Sequence, residues 1–554
     1  MKKILFTLCF FAFFNPIFAQ DLNTTEIIVI EGFKPEIPDA VKINKQASFS
    51  DTTKIDKSQN YSYINTLFYS PYLIREINPA KIKHDRAKDF LNYKIDLRIG
   101  TLSQSNGQFS FNQKHSKSIF YGLSLTHNQN SYKAFALSSP ITSSNHKIEN
   151  TNQSVYGFLK FFKPNNVISI NMTYDRDVSI FNFKNEFRYS KISFNAFSKR
   201  PFSNGFKHNT SFYISDLNEM SENHIHFRSL LERKNTDNLI RCFLGFNNYL
   251  NYSRDEIAFG RRSLDVKEFI FYPSTRIDKY GFKIDLGLNL EYQDDTLDTE
   301  ISIFPHIQFS KELVNDFVFL QFGLRDCNKR NSLRTLSEDN QFIHSFGTNQ
   351  QISDDGIFSQ ELKKTFSKEV YFLMKNHLSK NQYIVLNTSF SKINNILYFK
   401  RQNISSIQRF IAQYKDVNQL YASLHYFNEI GSVIALDFEV NYFNYFDEHL
   451  PYYPKFISSL SIPISLRDKL KISPNISFMS GRSTLTETNL LIDPSEIFVE
   501  LEDYLDFDLI LSYNYSKKLS FNFDLNNITG QKNELFHGYF DYGFNVLFGL
   551  KYSF

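Results

Sequence analysis

Acidic side chains gather in two tight groups in this sequence: Asp294, Asp295 and Asp298, and later Asp503, Asp506 and Asp508. Carboxylates so close together are hard oxygen donors of the kind that hold calcium. Charges hydrated at a strand end or on a watery inner face are the plainer account. Arg261-Arg262 and Lys329-Arg330 stand in polar stretches expected to be outer loops. There they are able to grip lipopolysaccharide phosphates through charge-assisted bonds, or to serve as ordinary exposed charge. Enzyme chemistry finds no foothold. No His-Glu-x-x-His, phosphate-binding glycine loop or nucleophile elbow occurs, so no catalytic, cofactor-binding or metal-ligating residue is assigned and no enzyme is expected. The three cysteines are Cys9, Cys242 and Cys327. Cys9 follows Leu8 inside an apolar stretch, unlike a lipoprotein attachment cysteine. Cys242 and Cys327 fall in different predicted elements, and no bond between them is expected.

Composition narrows the class. The 554 residues carry 62 Lys and Arg against 58 Asp and Glu, too even a balance for the basic stripe of a nucleic-acid binder. There are 60 Phe and 32 Tyr but no Trp. The 19 Gly and 15 Pro are about half of ordinary usage, which excludes low-complexity and collagen-like chains. So much aromatic surface argues against disorder.

The start reads as a targeting segment. Lys2 and Lys3 precede the apolar run Ile4–Phe14, and Ala19 offers a small residue for cleavage before Gln20. Residues 1–19 are therefore expected to be a secretory signal peptide. No later run of about 18 apolar residues exists to form a membrane helix. Residues 20–90 are expected to form a periplasmic or lumenal arm. Pro35, Pro38, Pro71 and Pro79 crowd it, and its clearest strand-like run is Glu26, Ile27, Ile28, Val29 and Ile30.

From Tyr93 onward the apolar spacing is two. Phe282, Ile284, Leu286, Leu288, Leu290 and Tyr292 alternate with Lys283, Asp285, Gly287, Asn289 and Glu291. Leu505 to Tyr515 and Leu519 to Leu525 repeat the pattern. Each such run has one apolar and one hydrated face, and no helical period competes. Eleven residues of unbroken alternation suit a tilted membrane-crossing strand, which needs about 9–11, better than a soluble strand of about five or six. Tyr tends to end the runs, as an interfacial girdle requires.

The connections point the same way. Lys163–Asn166, Asn235–Asp237, Lys380-Asn381, Arg467-Asp468 and Lys517-Lys518 read as tight turns, all after even-numbered strands. Ser131–Asn150, Ser253–Ser263, Cys327–Lys364 and Ser480–Glu502 read as long loops, all after odd ones. Short turns on one side and long loops on the other mark an outer-membrane barrel. The expected fold is all-β: residues 91–554 as a transmembrane antiparallel β-barrel of about 22 strands, an even number between 20 and 24. The raw segmentation gives about 24, with 393–418 its weakest part. Pro305, Pro463 and Pro474 should mark strand ends or bulges.

The chain's last strand carries a resemblance. Phe544, Val546, Phe548, Leu550, Tyr552 and Phe554 alternate up to a C-terminal Phe. This is similar to the terminal strand of bacterial outer-membrane proteins, and Phe548, Leu550, Tyr552 and Phe554 would be its assembly signal. The stretch Leu525–Lys532, then Gly538-Tyr539, then Gly543-Phe544 to the end resembles the last hairpin of TonB-dependent receptor barrels, especially those of Bacteroidota. Ile528 and Phe544 replace the usual residues. That family carries a folded plug before its barrel, and residues 21–90 are too short for one. Phe33-Lys34-Pro35 and Asn78-Pro79-Ala80-Lys81 resemble the arm of a plug-less branch. Glu26–Ile30 resembles the family's TonB-contacting segment, or else is a short strand pairing within the protein or with a partner.

Two functions follow as expectations. One is a Gram-negative outer-membrane barrel that passes a solute, with the arm as constriction or gate. The other is a non-conducting structural or assembly partner in an outer-membrane complex. Expected partners are outer-membrane lipid and lipopolysaccharide, the barrel-assembly machinery, and another outer-membrane or periplasmic protein. No cofactor and no nucleic acid are expected.

Overall fold

The computed structural model describes residues 92–554 apart from 137–143, 182, 203–204, 236–237, 253–264, 295–298, 315–316, 341, 344–351, 354–355, 358–361, 405–406, 447–448, 468 and 488–495. The expected signal peptide with Ala19 and Gln20, the arm with Glu26–Ile30, and Arg261, Arg262, Asp295 and Asp298 lie outside the described residues.

The described chain forms one closed antiparallel barrel. Its sheet has 23 segments, but Phe456–Ser461 and Ile464–Leu466 are two halves of one crossing, interrupted at Ile462-Pro463, which leaves 22 strands. Closure joins the first and last strands: Tyr93–Gly100 pairs antiparallel with Asn545–Ser553, from Lys94↔Ser553 to Gly100↔Leu547. Tyr93 and Phe554 exchange backbone hydrogen bonds of 2.9 and 3.0 Å at the end of this seam. Gly100 is required there, because a Cβ would sit 2.3 Å from the Val546 carbonyl oxygen. An edge left open in hydrocarbon would leave unpaired backbone groups at several kcal/mol each.

Alternation sorts the side chains as expected. Leu286 and Leu288 project outward, while their neighbour Asp285 is 2% exposed on the inner wall. Asp285 binds Arg241 and accepts from Arg276 Nε at 3.0 Å and from Gln308 at 3.3 Å. Arg98 likewise bridges Asp96 at 3.1 Å and Asp524 at 2.7 Å across the seam. Tyr93, Tyr280, Tyr513, Tyr515 and Tyr552 stand exposed together at the turn end of the barrel, as a girdle of amphipathic rings.

The two ends differ. The tight turns share the end that holds Tyr93 and Phe554; the long connections share the other, the outer mouth. Two loop bounds need correction. Described residues of Ser131–Asn150 continue the strands Ile119–Ala136 and Ser144–Phe162 as a tall hairpin, and the strand before the longest loop runs through Arg330. The surplus strands of the raw count have a similar cause. Residues 393–418 contain no extra crossing; they are the tip of the hairpin Gln382–Ile404 and Ile407–Ile430, which rises above the rim.

The prolines mark irregularities. Ile462 N donates to the Pro474 carbonyl at 3.0 Å, so Pro463 and Pro474 share one break. Pro273, which the sequence reading passed over, sits where the ladder skips from Phe271↔Leu290 to Ser274↔Gly287. Pro305 has the largest consequence. Thr299–Val314 pairs with Val318–Arg330 only from Val314↔Val318 to Ile307↔Leu324, and Pro305, which cannot donate to a ladder, stands just beyond. Above it the wall splits. Arg325–Arg330 stays paired with Lys364–Glu369, and Thr299–His306 with Phe282–Asp294.

Sequence explains which way the freed strands go. Arg325-Asp326-Cys327-Asn328-Lys329-Arg330 has no apolar face to offer lipid, so this pair turns inward. Side chains that continue its lipid-facing row then meet the inner wall. Asn328 Nδ2 donates to Glu291 at 2.7 Å and Lys364 pairs with the same carboxylate. Arg330 lies 3.7 Å from Glu268 and covers the Tyr249 ring, and Phe366 meets Phe304 edge-on at 6.4 Å.

Candidate functional site

Inward turning brings the segment after Arg330 across the mouth, where a short helix, Leu333–Asp339, begins. Its start is written locally. Ser332 Oγ accepts from Thr335 N at 3.2 Å and Thr335 Oγ1 accepts from Ser332 N at 2.8 Å, a reciprocal capping box. Glu222 on the inner wall secures the same end, accepting from the backbone N–H of Leu333 at 2.9 Å and of Arg334 at 3.2 Å. Arg334 pairs with Glu338 at 2.8 Å and stacks 4.2 Å from the Tyr189 ring, tying the helix to the wall.

The helix delivers Leu333 and Leu336, both fully buried, to an apolar core that spans the outer mouth. Contributions come from well-separated parts of the rim. Phe342 lies 4.0 Å from Tyr539 of the last loop, whose ring also stands 5.6 Å from that of Phe410 on the strand Ile407–Ile430. Phe536 packs 5.1 Å from Phe410. From the opposite side, Tyr132 meets Tyr542 at 5.5 Å and donates to the Phe540 carbonyl at 3.3 Å. Ile148, Leu217 and Met220 complete this side. The mouth of the barrel has a packed roof.

A cavity of 570 Å³ lies between roof and wall. Gln104, Asn106, Asn130, Asn150 and Asn152 line it from the first strands, with Ser337 and Glu338 from the helix and Tyr542 from the last loop. Beside it, Asp541 is half-buried near Asp506 and Asp508. Burial, with those two charges, raises its carboxyl to about 6 against the pull of the Tyr542 N–H.

The sequence-derived candidates fare unevenly. Phe548, Leu550, Tyr552 and Phe554 are 50%, 36%, 39% and 43% exposed on the outer face, as expected of that strand. Asp508 accepts from Asn527 N at 2.9 Å and Asp506 from the Tyr504 hydroxyl at 3.3 Å. Among the described residues no group of carboxylates, histidines or cysteines is arranged to hold a metal ion, so calcium ligation by Asp503, Asp506 and Asp508 finds no support. Lys329-Arg330 is not a free loop pair: Lys329 bonds Asp339 at 2.9 Å and Arg330 is buried beside Glu268. Cys242 and Cys327 are both free. Glu222, Phe410 and the amide-lined cavity escaped the sequence reading, and Tyr539 entered it only through the Gly538-Tyr539 resemblance, without a place in a core. The one available signal was the density of amides at Asn128-Gln129-Asn130 and Asn150-Thr151-Asn152, within the strands Ile119–Ala136 and Ser144–Phe162.

Neither a protein-family model nor a curated protein sequence matches the chain. Solved structures do. The FrpB iron transporter of Neisseria meningitidis (F3-3 variant) superposes with a TM-score of 0.64 at 9% identity, over 83% of this chain and 81% of that one. The siderophore receptor PirA of Acinetobacter baumannii gives 0.62 at 10% identity, over 85% and 81%. The outer membrane transporter YddB of Escherichia coli gives 0.60 at 11%, over 84% and 81%. The chain shares the fold of these proteins, a closed antiparallel barrel of 22 strands, and at such identity the likeness establishes the fold alone.

Proposed function

We propose that the chain is an outer-membrane conduit for a solute, gated on its outer side by the roof. The observation that carries this reading is the apolar core joining Tyr132, Phe410 and Tyr539 across a 22-strand barrel. A barrel of this size encloses a channel or a plugged lumen. Its inner wall is lined by ion pairs centred on Asp285, Glu291 and Asp524. A core of aromatic and aliphatic contacts between separate loops can part and re-form as those loops move. On this reading the leader exports the chain and the last strand engages the assembly machinery in a Gram-negative cell. Plug-dependent uptake energised through TonB is not part of the proposal.

Swelling of proteoliposomes in small neutral solutes tests it. Phe410→Asp, which puts a charge into the roof core, should admit solutes that the wild type admits slowly. The roof equally suits a second reading, a permanently closed partner barrel. A folded Phe410→Asp barrel that admits nothing would favour that one.

A further inference from the structure

We propose that the split in the wall is a docking site for a second polypeptide, which adds one extended strand, alternately apolar and acidic, to the open edge of Thr299–Val314. The proposal stands whether or not the barrel conducts. Above Ile307↔Leu324 that edge has no neighbouring strand, because Arg325–Arg330 has turned into the lumen with Lys364–Glu369.

Pro305 shows which backbone groups are left over. Its pairing with Leu288 belongs to an unbroken ladder, and a proline has no N–H to give that ladder. Leu288↔Pro305 is therefore a non-hydrogen-bonded pair, and Pro305 turns its carbonyl to the other side. Alternate residues do the same, so Ile301 and Ile303 aim both N–H and C=O at the open side. No described residue bonds them there. These groups lie at membrane depth: Ile303 pairs with Leu290 and Ile301 with Tyr292, in the lipid-facing row of the adjoining strand. Their side chains are 62% and 69% exposed, more than those of Leu286 and Leu288 at 38% and 39%. Hydrocarbon cannot pair with peptide groups, whereas an added strand does so along its whole length.

Charge describes the other face of that strand. Lys368 and Lys392 stand directly opposite each other, both exposed, in the outward row of Val370 and Phe390. Like charges so placed repel, and neither has a carboxylate partner among the described residues. Lys368 Nζ lies 5.8 Å from the ring of Phe304, on the inner face of the open strand, so the pair stands just behind the edge. A strand laid along Ile301 and Ile303 has lipid on one face and ammonium groups on the other. Its apolar residues continue the lipid-facing row, and acidic residues between them meet the lysines. Lipopolysaccharide phosphates would also meet the lysines, but acyl chains would leave the peptide groups unpaired. A second copy fails on direction. Inserted the same way and related by a two-fold axis along the membrane normal, its strand tilts oppositely, so the two edges cross.

Photo-crosslinking in the cells that carry the full-length chain tests the edge. With p-benzoylphenylalanine at position 303, one polypeptide should be captured, through a segment that mass spectrometry maps as alternately apolar and acidic. The same probe at position 288, one strand away on the lipid face, should not capture it. With the probe at position 301, Ile303→Pro removes only a donor on the open side and should lower capture about tenfold. Lys368→Glu together with Lys392→Glu, a second and independent variant, should lower it as much. Heat-modifiable migration on gels shows that each barrel is folded. The inference is overturned if position 303 captures no polypeptide, or only lipopolysaccharide or this chain itself. It is overturned equally if position 288 captures the same polypeptide as strongly, if the captured segment lacks the alternation, or if a folded variant captures it undiminished.

Discussion

Glu291 accepts a hydrogen bond from Asn328 at 2.7 Å although a whole strand, Thr299–Val314, separates their own strands in the sheet. Asn328 continues the row of Phe322 and Leu324, which faces outward lower on the same strand. Glu291 faces inward, in the row of Asp285. The contact exists only because the wall splits above Ile307↔Leu324 and the strand pair beyond it turns into the lumen.

Cysteine pairs distinguish this arrangement from an unbroken ladder. With Cys242 and Cys327 changed to serine, cysteines at positions 291 and 328 should form a disulfide on mild oxidation. Cysteines at 303 and 328, which a continuous register would place opposite each other, should not. The reverse pattern on a non-reducing gel would restore the unbroken wall.

Leu286→Arg places a charge on the lipid face and should cost about 2–4 kcal/mol. Alternation alone suggests that Asp285→Arg would be harmless in a hydrated lumen. The structure reverses that expectation. Asp285 is buried between Arg241 and Arg276, and a third guanidinium there would repel both. Asp285→Asn, keeping shape but not charge, should cost about 1–3 kcal/mol. Urea midpoints of folded barrel in detergent would rank the three. Asp285→Arg matching wild type would mean that the ion-pair cluster contributes nothing.

The last loop should respond to pH. The Asp541 carboxyl is raised to about 6 by burial and by Asp506 and Asp508. A group whose folded pKa lies above its unfolded value stabilises the docked loop at low pH, and that contribution is lost as pH rises from about 4 through about 6. Amide exchange at Tyr539 and Tyr542 should therefore be slower, relative to intrinsic rates, at pH 4 than at pH 7.5. Asp541→Asn should remove most of that difference. An unchanged pH profile in the variant would assign the effect to other groups.

Removing Tyr552, Ser553 and Phe554 deletes the pairs Ile95↔Tyr552 and Lys94↔Ser553 and the two bonds between Tyr93 and Phe554. An edge opened at the turn end of the seam should prevent stable assembly, with the chain degraded in the periplasm. Normal heat-modifiable barrel from the truncated chain would show that these residues are dispensable for closure.

Much of the barrel was legible because lipid enforces a strict rule. A strand crossing hydrocarbon must show it one apolar face, so Phe282–Tyr292 and Leu505–Tyr515 announce themselves, and the turn-and-loop asymmetry gives direction. The roof was not legible, since its residues answer to no local period. Leu397, Phe399, Phe410 and Ala412 face a protein core above the rim instead of lipid, which is why 393–418 read as weak strand. Phe342 and Tyr539 meet from loops far apart along the chain. The inward turn was hidden for another reason. A polar run such as Arg325–Arg330 reads the same whether it hangs in solvent as a loop or lies against an inner wall. Only the placement of Glu268 and Glu291 distinguishes them.

Conductance across planar bilayers tests the roofed conduit most directly. Wild-type barrel should stay closed or nearly so. A Phe410→Asp, Tyr539→Ser barrel, folded by its gel migration but without a packed roof, should carry a sustained current of wide-pore size. A folded double variant that carries no current would contradict the account, because the roof would then not be what closes the lumen.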